Sequence, residues 1–240
     1  MLVYIHFMDI FKVGIMIISD PFPRESGREY ALRMIKNNII CLQFAPGSTI
    51  SDKLISEELG TSRGPVREAI IELRQYKMIE VHPQKKSVIA LIDPALVDEI
   101  VLIRNMFERQ AVADVCRFAS NKEIEHLVQI VKLQQFMLEN GSNQQLIPII
   151  ESFHKELSCA ARKSFTYTII SKMSIHIERV CSIQFMDYNK AVQENTRIIE
   201  AIVNRDKEKA QRIIDNDYFS QFSFNYPALR RKYPRYFINE

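Results

Sequence analysis

The sequence predicts a mainly α-helical fold in two parts: three helices closed by a short basic hairpin, followed by an all-α helical bundle. Two observations carry this. Apolar residues recur at helical spacing along most of the chain, while 79–91 reads as two short strands around a polar tip. Charge is also uneven. Residues 27–92 hold ten Lys/Arg against seven Asp/Glu, a net of +3, whereas 93–222 carry −2 and 223–240 carry +3. A basic head on a mildly acidic body suits a nucleic-acid reader joined to a module with another task.

The elements follow in order. A helix is expected over 27–42, after Pro21 and Pro23, with Tyr30, Met34, Ile35 and Ile39 on one face. Phe44-Ala45-Pro46-Gly47 ends it, because Pro-Gly sets a tight turn. A short helix over 51–59 is capped by Ser51 or Asp52. After the turn Gly60-Thr61-Ser62, Ser62 caps a third helix running to Tyr76. Pro65 fits there because first-turn amides have no helical partner to lose. The strands Ile79–Val81 and Val88–Leu91 enclose His82–Ser87 as a hairpin tip. Three helices and a basic hairpin make a winged helix-turn-helix over 27–92.

From 93 to 222 the pattern is helical throughout, giving six helices near 95–119, 121–139, 143–161, 165–184, 187–204 and 206–222. Asp93-Pro94, Gly141 and Asp206 mark boundaries. The segment 223–240 is a basic aromatic tail, expected to be poorly ordered.

Composition excludes several classes. With 47% hydrophobic and 25% charged residues, the chain is an ordinary folded protein rather than a disordered one. Cys41, Cys116, Cys159 and Cys181 are far apart, so a zinc ribbon or dithiol site is not expected and each reads as a small buried hydrophobe in a reducing compartment. The opening 1–26 is an N-terminal extension whose first 19 residues are apolar, but no positive charge precedes the run, and Asp9 and Lys12 interrupt it. No membrane span is expected, and translation is expected to start at Met16. A Gly-rich phosphate loop, a nucleophile motif and paired catalytic carboxylates are all lacking, so the chain is not expected to be an enzyme.

The third helix carries Arg63, Arg67 and Arg74 on one stripe, beside an apolar stripe of Val66, Ala69, Ile70 and Leu73. The helix can therefore pack on its own domain and show arginines outward near its N-terminal end, the end that enters the major groove in helix-turn-helix proteins. Arginine suits that place because its planar fork meets guanine O6 and N7 together. The competing reading is a solvated charged face paired to Glu68 or Glu72.

The run Leu59-Gly60-Thr61-Ser62-Arg63-Gly64-Pro65-Val66-Arg67-Glu68-Ala69-Ile70, with Phe44-Ala45-Pro46-Gly47 upstream, strongly resembles the GntR family of regulators. The second part resembles the FadR-type ligand-binding helical domain, FCD, through Arg104 with Glu108, Phe153-His154, and Ile198-Ile199-Glu200-Ala201-Ile202 followed by Asp206 and Ala210. Six helices place it nearest the VanR-like branch. The resemblance implies DNA contacts by Lys53, Ser62, Arg63, Gly64 and Arg67, with Lys85 and Lys86 at the wing tip. Gly64 stands where the family usually has Thr, and Lys77 and Lys86 stand where Gly is common.

Many FCD domains hold a divalent metal with one Asp and three His. Here the corresponding positions are Ile150, His154, Asn195 and Asp217. Ile150 cannot coordinate and an amide is a weak ligand, so no metal and no other cofactor is expected. The resemblance instead implies a ligand site of Arg104, His154, Asn195 and Asp217. Two readings stand for these residues: a buried polar network, with Arg104 simply paired to Glu108, or direct contact with a carboxylic acid, which arginine binds well.

The expected function is a cytoplasmic DNA-binding transcription regulator, a repressor acting as a homodimer on a short palindromic operator and controlled by a small organic acid. The alternative is a DNA-tethered dimerisation or protein-interaction module without an effector. A sealed core around the four residues favours the alternative, and an open polar cavity favours the sensor.

Overall fold

The computed structural model describes residues 16–82, 86–141, 143–184, 187–216 and 222–239. The chain divides into two compact units. One runs to Leu91 and also takes in the chain end from Arg235, and the other is Ile92–Pro234.

The first unit contains α1 (Gly27–Ile40), β1 (Thr49–Ile50), α2 (Asp52–Glu58), α3 (Arg63–Gln75), β2 (Ile79–His82) and β3 (Lys86–Ile89). A capping box starts α1: the Ser26 hydroxyl accepts from the Glu29 amide while the Glu29 carboxylate accepts from the Ser26 amide. Its inner face, Tyr30, Ala31, Met34, Ile35 and Ile39, packs with α3, whose buried side chains are Val66, Ala69, Ile70 and Leu73. Those four are the apolar stripe read from the sequence. Ala45–Ser48 forms the Pro-Gly turn, in which Ser48 N–H donates to Ala45 O and Gly47 takes φ 81°. That is a type II turn, which needs a left-handed residue at its third position.

The sheet is antiparallel with order β1-β3-β2, pairing Thr49 with Val88 and Ile79 with Ile89. Sequence reading misses β1, because two residues are too short to show a period. Residues ahead of α1 pack on this unit: Met16 is buried, and the Ile17 amide donates to Asn38 Oδ1 at 2.8 Å. Residues 1–15, which include the start of the N-terminal extension, lie outside the described residues.

The second unit holds α4 (Pro94–Phe118), α5 (Asn121–Asn140), α6 (Asn143–Ala160), α7 (Ser164–Met173), α8 (Ile175–Ile183), α9 (Tyr188–Val203), α10 (Lys207–Asn216) and α11 (Tyr226–Lys232). Asp93 caps α4 by accepting from the Ala95 and Leu96 amides, and Pro94 opens the helix. A second capping box, Ser120 with Glu123, starts α5. The core between α4, α5, α6, α9 and α10 is built from Ala111, Val112, Val115, Leu127, Phe153, Leu157, Ile198, Ile202, Ala210 and Ile214.

Three differences from the sequence reading have physical causes. The helix expected over 165–184 breaks into α7 and α8 at Ser174, whose hydroxyl donates to Ile170 O at 3.2 Å. The tail is ordered over 222–239: Asn225 caps α11 by accepting from the Ala228 amide, and Leu229 and Phe237 bury their side chains. Among the cysteines only Cys116 is fully buried, while Cys41, the C-cap of α1, is exposed.

Four helices, α2, α3, α6 and α9, end in the same way. The residue after the cap turns left-handed, its amide bonds three residues back, and the next amide bonds five residues back. At α2 this residue is Gly60, but at α3, α6 and α9 it is Lys77 (φ 56°), Arg162 (φ 62°) and Arg205 (φ 54°). Left-handed backbone strains any residue with a Cβ by about 1–2 kcal/mol. Arg205 is retained for another reason. Its guanidinium donates to Ala119 O at 2.7 Å and to Asn121 Oδ1 at 3.2 Å, closing the C-terminal end of α4. Lys77 has no such bond among the described residues. Lys77→Gly is therefore expected to raise unfolding free energy by roughly 0.5–1 kcal/mol. A chemical denaturation midpoint that falls on this substitution counts against the strain.

Candidate nucleic-acid interface and the buried polar core of the bundle

The face of α3 opposite its apolar stripe is exposed at Arg63, Gly64, Arg67 and Arg74. Ser62 sits at the N-cap in extended backbone, but its hydroxyl makes no capping bond. The expected side-chain cap is absent, and the first-turn amides of α3 are left for another acceptor. Gly64 faces open space, with nothing within 4 Å of where a Cβ would stand. Lys53 is exposed on α2.

Ion pairs around α3 run to the neighbouring helices. Glu72 and Glu68 are engaged from α1, by Arg28, at 2.6 and 3.8 Å. Arg67 is held by α2: its Nε donates to Asp52 Oδ2 at 2.5 Å. That bond, with smaller help from the nearby Arg63 charge, keeps the Asp52 carboxyl below its ordinary range. Ser51 rather than Asp52 caps α2, by accepting from the Leu54 amide. Of the wing, Lys85 lies outside the described residues. Lys86 is described only by its backbone, which pairs with His82 in the β2–β3 ladder.

The residues singled out from the sequence fall into two of the bundle's buried polar sets, while His176, Arg179 and Glu194 are further buried polar residues there. In the first, Glu108 is the centre. Its Oε1 accepts from Arg104 Nε at 2.9 Å, one helical turn away on α4, and its Oε2 meets His154 Nδ1 at 3.0 Å. Side-chain exposures are 7%, 3% and 1% for Arg104, Glu108 and His154, so this is an ion cluster removed from water. Burial pushes the Glu108 carboxyl up, but His154 and Arg104 together outweigh it and hold it at about 2. A carboxylate only accepts, so Nδ1 of His154 carries the proton in this bond. The Arg104 guanidinium also lies 5.8 Å from the Phe222 ring centroid.

In the second set, Asn195 Nδ2 donates to Gln134 Oε1 at 3.1 Å, and Gln134 Nε2 donates to Ile149 O at 3.2 Å. Asn195 and Gln134 are fully buried, and Asn195 Oδ1 has no hydrogen-bond partner among the described residues. Asp217 lies outside the described residues. The structure thus joins Arg104 and His154 through Glu108, whereas Asn195 is bonded to Gln134. Sequence reading used Glu108 only as a partner for Arg104 and missed Gln134. The signal for Gln134 was present, since it continues the buried stripe Leu127, Ile130, Val131 of α5 as its only polar member.

At the described metal-type positions the donors are one imidazole already bonded to Glu108, one amide and the hydrocarbon Ile150, with an arginine bonded to the same carboxylate. This set does not suit a divalent transition ion. Two surface depressions lie elsewhere, one lined by Arg28, Glu68, Ile71, Glu72 and Gln75, the other by Lys122, Glu123, His126, Glu156, Cys159 and Ala160. No described helix is long and apolar enough to cross a membrane.

A winged helix-turn-helix with an exposed arginine stripe, followed by a helical bundle, defines a DNA-binding transcription regulator. Residues 28–89 match the bacterial regulatory proteins of the gntR family and residues 99–218 match the FCD domain, so the chain belongs to the FCD-domain regulators of the GntR family. The HTH-type transcriptional repressor RspR of Escherichia coli K12 is 22% identical over 221 residues, covering 91% of this chain and 96% of RspR. The HTH-type transcriptional regulator YdhC of Bacillus subtilis is 24% identical over 201 residues, covering 80% of this chain and 89% of YdhC. Among solved structures, E. coli McbR/YncC shares the fold, with a TM-score of 0.69 at 19% identity over 87% of this chain and 99% of that one. RspR, YdhC and McbR are each named as HTH-type transcriptional repressors or regulators.

The buried cluster predicts an acid-sensitive bundle. Because folding depresses the Glu108 pKa, its contribution is complete above the ordinary carboxyl range and is lost as pH falls from there towards about 2. Glu108→Gln, which leaves Arg104 without its buried counter-charge, is expected to cost roughly 3–5 kcal/mol at neutral pH. It should also flatten the fall in melting temperature between pH 5 and 2. An unchanged acid limb in the variant overturns this assignment.

Proposed function

We propose that the protein is a cytoplasmic homodimeric repressor that reads a short palindromic operator with α3 and is tuned by a small organic acid at the bundle. The observation that carries the DNA-reading part is the exposed Ser62-Arg63-Gly64 and Arg67 at the N-terminal end of a helix whose other stripe is buried. Arg63 and Arg67 serve as base or phosphate contacts, with Lys53, Lys85 and Lys86 as backbone contacts. Two copies bring two such helices to successive major grooves. An apolar stripe on α4, Leu102, Ile103 and Met106, 59, 47 and 64% exposed, supports pairing with a second copy.

For the bundle, the FCD match supports an effector. Arg104 with His154, and Asn195 with Asp217, are the residues we assign to it, and a carboxylic acid there takes the place Glu108 holds on Arg104. No metal enters this reading, in line with the donor set. One observation favours the second reading, a dimerisation or interaction module without effector: Arg104, Glu108, His154 and Asn195 are all buried and bonded to protein groups. Calorimetric titration with short mono- and dicarboxylic acids separates the two, since binding that weakens operator affinity supports the sensor and no heat with any acid supports the module.

Arg63→Ala is expected to lose roughly 1–3 kcal/mol of operator binding and to relax discrimination at one base position. Lys86→Ala is expected to weaken binding evenly across sequences and to lower the salt slope by about 1. Unchanged operator affinity in both Arg63→Ala and Arg67→Ala refutes the role of α3. In sedimentation the chain should be a dimer at micromolar concentration, and Met106→Glu should shift it to monomer; a dimer unaffected by that change moves the interface off α4.

A further inference from the structure

Asp52 is the first residue of α2, where an acid is ordinarily explained by the helix dipole alone. Its carboxylate, however, does not stay with its own helix. It reaches across to α3 and accepts from Arg67 Nε, as described above. Asp52 is half-buried, with 27% side-chain exposure, while Arg67 remains 62% exposed. The fixed partner therefore holds the root of the guanidinium while most of the Arg67 side chain stays exposed.

Which nitrogen is held matters. A guanidinium offers five N–H groups in a rigid fork. The bond to Asp52 uses Nε only, and among the described residues neither Nη is hydrogen-bonded by a side chain or carbonyl. The Nη pair is the edge that can meet guanine O6 and N7 together. Held at Nε, the guanidinium keeps its plane and gives up little rotamer freedom when a base arrives. A carboxylate beside the DNA-facing surface has a second effect. It opposes the approach of phosphate, which every duplex carries, and cancels part of the charge Arg67 offers to it. Arg63 is the other cation near this carboxylate.

We propose that Asp52 is a positioning and specificity residue for DNA recognition: it orients Arg67 for a base edge and penalises binding through the phosphate backbone alone. This rests on the reading of α3 as the recognition helix. Asp52 touches no base itself, and its role is exerted through Arg67. Selectivity here comes from weakening the wrong complexes as much as from strengthening the right one.

The test compares two duplexes of equal length, one selected by the wild-type protein from random sequence and one scrambled, over a range of salt. For Asp52→Ala, binding to the scrambled duplex is expected to tighten by about 3–10-fold, with a salt slope steeper by about one counterion. The ratio of selected to scrambled affinity should fall about tenfold, within what one base pair carries. Asp52→Asn, which keeps an acceptor but loses the charge, should tighten scrambled binding as well while retaining more of the ratio. In an Arg67→Ala background, Asp52→Ala should leave the ratio nearly unchanged, because the group it orients is gone. Equal melting temperatures identify the variants as folded, and Asp52→Asn serves if Asp52→Ala is not. If Arg67→Ala binds the selected duplex as wild type does, the recognition-helix reading itself fails. If Arg67→Ala weakens binding but Asp52→Ala and Asp52→Asn leave both ratio and salt slope unchanged, or act equally with and without Arg67, only this proposal is overturned.

Discussion

The helix α3 must satisfy two demands at once, being fixed in a small unit and leaving its cationic stripe free for a polyanion. Both are met by its packing with α1. Val66, Ala69, Ile70 and Leu73 are buried, so the orientation of the helix about its own axis is set by apolar contacts and not by its charges. Glu68 and Glu72 face Arg28 of α1, while Arg67 is held at its Nε by Asp52 of α2 and keeps most of its side chain exposed. Besides α1, α3 packs with α2 and with β2, which follows it after the left-handed Lys77.

The bundle solves a different problem. A carboxylate, a guanidinium and an imidazole are withdrawn from water together, and each alone would be prohibitively costly there. Glu108 makes the arrangement tolerable because it has two oxygens and spends one on each partner. Such a cluster contributes little net stability compared with apolar packing of the same volume, whereas removing one member leaves a buried charge without its partner. The amide pair Gln134–Asn195 is a second polar insertion, and the Oδ1 that remains without a hydrogen bond marks it as incompletely satisfied among the described residues.

Much of this was legible in the sequence where a periodic pattern runs for three turns or more. The stripes of α1 and α3, the helix boundary at Asp93-Pro94 and the hairpin after α3 all follow from local rules, whereas the capping boxes at Ser26 and Ser120 were not read and the cap read at Ser62 does not form. What was not legible depends on partners distant in the chain. Asp52 reads as a helix-starting acid until Arg67, fifteen residues on, is seen to bind it. Glu108 pairs with Arg104 by spacing alone, but its bond to His154 spans 46 residues. The break at Ser174 leaves no mark in the apolar pattern, which runs on through both α7 and α8. The two residues of β1 gain their identity only from β3. The order of the tail comes from Phe224, Leu229 and Phe237, apolar residues with no regular period in a basic aromatic segment.

That tail has a practical meaning. The chain end from Arg235 belongs to the first unit, with Phe237 buried, although more than a hundred residues of the second unit intervene. The DNA-reading unit is thus discontinuous in sequence. A fragment cut at the apparent domain border leaves uncovered the surface on which Phe237 lies. A reporter or affinity handle fused after Glu240 is attached to the DNA-reading unit, not to the bundle that precedes it in the chain. Engineers who wish to transplant this unit must therefore carry over both pieces or close the gap with a new linker.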